Sequence, residues 1–235
     1  MDAKLFFIDR GSGEPLVLLH GNGENLLYFT PQIEYFEKDY RVIAVDTRGH
    51  GKSERGKAPF NLSQFADDLL YLVNSLDLEK INLLGFSDGA NIAIIFALKY
   101  PDKLKSLILC GANLYPSGVK AAFQLPVIFS YLFAKLKSYF SLQANAKKEL
   151  LSLMVREPHI KESELLKIEA PTLVIAGTKD LIKDSHTKLI ADSIKNAKFK
   201  IIEGSHFVSF ENSGDFNAAV EEFLKEQDKP PVLWR

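Results

Sequence analysis

The chain has 235 residues, 46% of them hydrophobic, with a net charge of −1 and no stripe of Lys or Arg, which excludes an electrostatic footprint for nucleic acid. The single Cys110 forms no internal disulfide, and residues 1–4 lead into a strand rather than a signal peptide, so a cytoplasmic location is expected. The longest apolar stretch, residues 125–140, is interrupted by Lys135 and Lys137 and is too short to span a bilayer.

In chain order, residues 4–9 alternate as a short strand, and residues 15–20 form a second strand continuous in Val and Leu, the pattern of a sheet covered on both faces. His20-Gly21-Asn22-Gly23-Glu24 is a glycine-rich loop at that strand's carboxyl end. A helix over about residues 26–38 is expected to turn Leu27, Ile33 and Phe36 inward, with Pro31 confined to its first turns. Residues 41–46 read as a third strand. The Gly51-Lys52-Ser53 that follows is how a phosphate-binding P-loop ends, but that motif needs a glycine five positions before Gly51, where this chain has Asp46.

A helix over residues 62–76 and a strand over residues 80–84 lead to Gly85-Phe86-Ser87-Asp88-Gly89, and the helix after it is apolar nearly all round, as in a helix buried at the centre of a protein. A strand that reverses sharply into a helix needs small residues on both sides of the turn, and this geometry pushes the Ser87 hydroxyl out of the sheet. Residues 105–110 form another buried strand, ending in Gly111-Ala112-Asn113. The alternation then stops. Residues 114–167 read as helices over 125–140, 144–155 and near Ser163, rich in aromatics that include Phe123, Phe129, Tyr131, Phe133, Tyr139 and Phe140. Helix–helix packing accounts for most of these. Some are expected to line a pocket, because such an insertion covers the carboxyl ends of the strands, where ligands bind. Strands resume at residues 171–176, ending in Gly177-Thr178-Lys179-Asp180, and at 198–203, followed by Gly204-Ser205-His206-Phe207. A helix over 185–195 lies between them, one over 214–225 closes the fold, and residues 228–235 read as a weakly held tail. The expected architecture is α/β: a mostly parallel central sheet with helices on both faces, built from residues 1–113 and 168–227, with a small helical cap at 114–167.

A serine hydroxyl is a poor nucleophile near its normal pKa and needs a base that titrates close to neutrality, which means histidine. Of five histidines, His20 lies in the glycine loop, His50 in the Asp46 turn, His159 in the insertion and His186 on a surface helix; only His206 follows a late strand in a Gly-Ser loop. Asp180 is the candidate carboxylate to orient it, with Asp184, placed like a helix cap, as the alternative. The N–H groups of Asn22 and Asp88 are the candidate oxyanion hole.

On His20-Gly21-Asn22-Gly23, residues 46–53, Gly85 to Gly89, Asp180 and His206, in that order, the chain resembles the α/β-hydrolases with a helical cap. The resemblance implies a Ser87–His206–Asp180 triad that hydrolyses a small carboxylic ester through an acyl-enzyme, with no metal or organic cofactor. It gives residues 46–53 a structural role beside the site. A lactone, thioester or carbon–carbon bond is open to the same triad, and a ligand sensor on the same fold is the alternative of another class. Ser87-Asp88-Gly89 with Gly111-Ala112-Asn113-Leu114-Tyr115 resembles the biphenyl hydrolase-like esterases, which implies that Asp88 receives a cationic group on the substrate. Otherwise Asp88 is a helix cap. Phe123, Phe129 and Phe133 are the candidate acyl-pocket residues. The expected partners are a small-molecule ester and, at most, further copies of the chain as a small homo-oligomer.

Overall fold

The computed structural model describes residues 2–227; the tail at 228–235 lies outside the described residues. Seven strands form one sheet: β1 (Phe7–Arg10), β2 (Glu14–Leu19), β3 (Tyr40–Val45), β4 (Ile81–Phe86), β5 (Leu104–Cys110), β6 (Thr172–Lys179) and β7 (Ala197–Ser205). Their spatial order is β1-β3-β2-β4-β5-β6-β7, with β1 antiparallel to β3 and every other pair parallel. The chain starts at the edge with β1, passes to β2, returns to place β3 between them, then crosses to β4 on the other side of β2 and builds outward from there. The switch point of the topology is therefore the crevice between the carboxyl ends of β2 and β4, the place where α/β sheets bind ligands.

Side chains alternate across this sheet with period two. Leu16, Leu18, Val42, Ala44, Leu84, Phe86, Ile108 and Cys110 face one helical layer, built from α1 (Thr30–Phe36), α8 (Val208–Glu211) and α9 (Ser213–Gln227). Val17, Leu19, Ile43, Val45, Leu83, Leu107 and Leu109 face the other, built from α2 (Leu62–Ser75), α3 (Asp88–Lys99) and α7 (Asp184–Ser193). Between β5 and β6 the chain runs through α4 (Ala121–Lys137), α5 (Leu142–Arg156) and α6 (Glu162–Leu165).

Two local expectations change. The helix expected over residues 26–38 begins as a 3-10 turn, Leu26–Phe29, capped by the Asn25 side chain, and becomes α-helical only at Thr30, with Pro31 in its first turn. The tighter turn rotates the following residues relative to an α-helix. Leu26 and Phe29 are buried as a result, and Leu27 is left 66% exposed. His186 is buried rather than on the surface, because its Nε2 accepts the Leu114 N–H at 2.9 Å and ties α7 to the segment after β5.

Candidate active site

Ser87 sits between β4 and α3 with φ 54° and ψ −121°, a left-handed conformation that costs a non-glycine residue about 1–3 kcal/mol. The turn is held in place from three sides. Ser87 N–H donates to Cys110 O at 2.8 Å, a Cβ on Gly85 would meet Gly89 O at 2.3 Å, and a Cβ on Gly89 would meet Leu19 O at 2.0 Å. The elbow thus requires glycine on both sides because β4 runs under α3 and α3 runs against the end of β2.

His206 follows β7, and its Nε2 lies 3.0 Å from Ser87 Oγ. Its Nδ1 lies 2.7 Å from Oδ1 of Asp180, which follows β6. An ionised carboxylate only accepts, so Nδ1–H donates to Asp180 and leaves the Nε2 lone pair for the Ser87 hydroxyl. Asp180 Oδ1 also accepts the Ile182 N–H at 2.9 Å, while Oδ2 is buried with no partner among the described residues. Asp184, the other carboxylate considered, opens α7, pairs with Lys120 at 3.1 Å and points to solvent.

The N–H groups of Asn22 and Asp88 donate to no other described residue. As the first residue of α3, Asp88 has no intrahelical acceptor for its N–H. The loop carrying Asn22 is braced from below by His20, whose Nδ1–H donates to Gly21 O at 2.7 Å while Nε2 accepts the Thr47 N–H at 3.1 Å. Burial, with His50 close by, drives the His20 pKa down to about 4, so the ring remains a neutral strut. The Asp46 turn has a comparable structural role: Asp46 accepts the N–H groups of Leu26 at 2.7 Å and Lys52 at 2.8 Å.

The Asp88 carboxylate is buried in a polar network that its sequence position did not signal. Oδ2 accepts from Asn22 Nδ2 at 2.8 Å and Oδ1 from Asn91 Nδ2 at 3.2 Å. Asn91 in turn exchanges two hydrogen bonds with Asn113. Burial raises the Asp88 pKa, as it does for Glu24 and Glu157.

Ser87, His206, Asn22, Asp88 and Asn113 border one cavity of about 260 Å³. Its apolar wall comes from Phe86, Val119, Phe123, Val127, Met154, Leu181, Ile182 and Phe207, and its carboxyl groups are those of Glu24, Asp88 and Glu157, with His206 the lone basic side chain among the described lining residues. Phe123 lies where the sequence suggested. Phe129 and Phe133 do not: they are 69% and 60% exposed and outside this cavity, because α4 turns Gln124, Tyr131 and Ala134 inward and the stripe bearing Phe129 and Phe133 outward. Glu24, Glu157 and Met154 escaped the sequence reading. Glu24 was visible inside the glycine loop, but nothing in the spacing of α4 and α5 marks Glu157 or Met154.

Comparison with known proteins bears on the fold. Residues 14–157 match the family model described as alpha/beta hydrolase fold. The chain is 28% identical to the serine hydrolase BPHL of Mus musculus, over 92% of this chain and 81% of that protein. It is also 28% identical to the 2-hydroxymuconate semialdehyde hydrolase of Pseudomonas sp. (strain CF600), over 95% of this chain and 91% of that protein. The enol-lactonase of Burkholderia xenovorans LB400 superposes with a TM-score of 0.80 at 23% identity, covering 95% of this chain and 97% of that one, which is a likeness of fold. With the elbow, the strand order and the family match in agreement, the chain belongs to the α/β hydrolase fold family.

Proposed function

We propose that this protein is a serine hydrolase that cleaves a small carboxylic ester through a Ser87–His206–Asp180 triad. His206 Nε2 takes the Ser87 proton as Oγ attacks the ester carbonyl, the N–H groups of Asn22 and Asp88 receive the oxyanion, and His206 protonates the departing alcohol. Water then repeats the cycle on the acyl-enzyme. The observation that carries this reading is the continuous chain from Asp180 Oδ1 to His206 Nδ1 at 2.7 Å and from Nε2 to Ser87 Oγ at 3.0 Å, opening on an apolar cavity. Residues 114–167 serve as a cap, since α4 and α5 supply Phe123, Gln124, Val127 and Met154 to the cavity wall.

The lining also bears on the substrate. Glu24, Asp88 and Glu157 line the cavity with no lysine or arginine among the described lining residues to pair an anionic acyl group, which argues against a carboxylate-bearing compound such as a muconate semialdehyde and favours a neutral or cationic ester. A second reading gives Asp88 the role of receiving an ammonium group, supported by its place on the cavity wall beside two further carboxylates. The test is fluorophosphonate labelling of Ser87 beside turnover on p-nitrophenyl esters, lactones and thioesters. Labelling with ester turnover is expected. Turnover confined to lactones or thioesters would reassign the bond, and turnover on none of them with Ser87 unlabelled would replace the enzyme by a ligand sensor.

A further inference from the structure

Helix α4 carries apolar residues on a face that nothing among the described residues covers. Leu125, Phe129, Leu132, Phe133 and Leu136 are all more than half exposed, and Tyr139, Phe140 and Leu142 extend the patch past the end of the helix. Their spacing of i, i+4, i+7, i+8 and i+11 places the helical five on one stripe, about 100° wide at about 100° per residue. A core-facing stripe would be buried, and this one points away from the core.

The charge around the stripe narrows what could meet it. Residues 121–148 hold Lys135, Lys137, Lys147 and Lys148 and no acidic residue, although the whole chain carries a net charge of −1. At helical spacing Lys135 and Lys137 fall on opposite flanks of the stripe. Lys137 Nζ lies 4.5 Å from the Phe133 ring centroid, and Lys147 lines the same surface groove as Phe133 and Lys137. Apolar and aromatic residues flanked by lysines, whose stems lie along apolar surface while the ammonium groups reach past it, are the composition of a helix that lies in a membrane interface. An acidic or neutral protein surface would satisfy the lysines or the stripe; an anionic lipid surface satisfies both.

We propose that the outer face of α4, with the turn into α5, docks on an anionic lipid surface. No helix among the described residues is long and apolar enough to cross a membrane, so the contact is peripheral. The same helix supplies Phe123, Gln124 and Val127 to the cavity wall, so docking would set one wall of the cavity against the lipid surface. Vesicle binding is read without any substrate, which keeps this proposal separate from the ester-hydrolase reading.

The experiment floats the full chain with vesicles of phosphatidylcholine alone and with vesicles containing about 30% phosphatidylserine. The expected result is at least about tenfold more bound protein on the anionic vesicles at low salt, declining as ionic strength rises. The double variant Leu136→Glu/Phe140→Glu should lose binding. Lys135→Glu/Lys137→Glu should reduce it about tenfold or more with the apolar stripe unchanged. Thermal melting reports that each variant is folded, and both should match the wild type within a few degrees. Equal binding to the two vesicle types, or binding to neither, overturns the proposal. So does a wild-type dimer in light scattering that Leu136→Glu/Phe140→Glu abolishes without any vesicle binding, which would make the occupant a second copy of the chain.

Discussion

Asn22 Nδ2 donates to Asp88 Oδ2 at 2.8 Å and to Leu150 O at 2.9 Å, so one side chain joins the loop after β2, the first turn of α3 and helix α5. The two N–H groups assigned to the oxyanion hole belong to these same two residues. Asn22→Ala keeps its own backbone N–H but releases the loop and leaves the buried Asp88 with one donor fewer. Complete loss of an oxyanion donor is worth about 2.7–4 kcal/mol, and misalignment should cost part of that, about a tenfold fall in kcat. An unchanged kcat in steady-state assays would mean that the loop is positioned without the bridge.

Ser87→Ala and His206→Ala are expected to abolish ester turnover while circular dichroism and melting temperature stay near wild type. Asp180→Asn should lower kcat by about four orders of magnitude, because an amide facing Nδ1 favours the wrong tautomer. Asp184→Asn should do little, since its carboxylate meets Lys120 at the surface. Damage from Asp184→Asn with little from Asp180→Asn would reverse the assignment of the acid.

Asp88→Asn separates substrate recognition from architecture. If Asp88 receives an ammonium group, kcat/KM for an α-amino acyl ester should fall at least tenfold, about 1.4 kcal/mol, relative to its des-amino analogue. Both Oδ atoms already accept amide donors from Asn22 and Asn91, so some loss on both esters is expected. A loss of equal size on the two would leave Asp88 as a structural hub.

Phe123→Ala and Val127→Ala should change the acyl chain-length preference, measured from acetate to hexanoate esters, and Phe129→Ala should not. A shift produced by Phe129→Ala would put the exposed face of α4 in the substrate path.

The elbow, Asp180 and His206 were legible because each follows a strand directly, and a residue's place at a strand end fixes where its backbone lies in the crevice. The roles of the cap aromatics were not. Periodicity shows that Leu125, Phe129, Leu132, Phe133 and Leu136 share one face, but whether that face packs inward depends on where the neighbouring α5 lies, which no local pattern encodes. Leu27 was misplaced for a related reason, because a single 3-10 turn changes the helical phase. The Asn22–Asp88–Asn91–Asn113 network joins residues from three separate segments and became visible only when the chain was folded.

His20 predicts an acid sensitivity. Its pKa is about 4 in the folded protein against an ordinary 6.5, so between these values the unfolded chain binds the proton and the folded one does not. Stability from this group is fully present above pH 6.5 and lost as pH falls toward 4, by on the order of 3 kcal/mol. Glu24, Asp88 and Glu157, with raised pKa values, act in the opposite sense: the folded state gains as they protonate. Comparison of wild type with His20→Gln isolates the histidine. In urea unfolding from pH 7 to pH 4, the variant should start less stable and show the flatter profile; parallel profiles would mean that His20 is protonated within the fold.

The order of the strands has a consequence for how activity arises during folding. Ser87 follows the central strand, which is flanked by β2 and β5, whereas His206 and Asp180, the proposed base and its carboxylate, arrive with β7 and β6, added one after the other at the sheet's edge. Ser87 and His206 are 119 residues apart in the chain, and pairing parallel strands over such separations pays loop-closure entropy before any contact rewards it. The elbow's own contacts, from Cys110, Gly89 and Leu19, are complete without β6 and β7, so a chain that had not yet placed these strands would hold the strained serine without its proposed base. Under the proposed mechanism such a form would be inactive toward esters, and Ser87 would gain its reactivity only with the docking of the last strand.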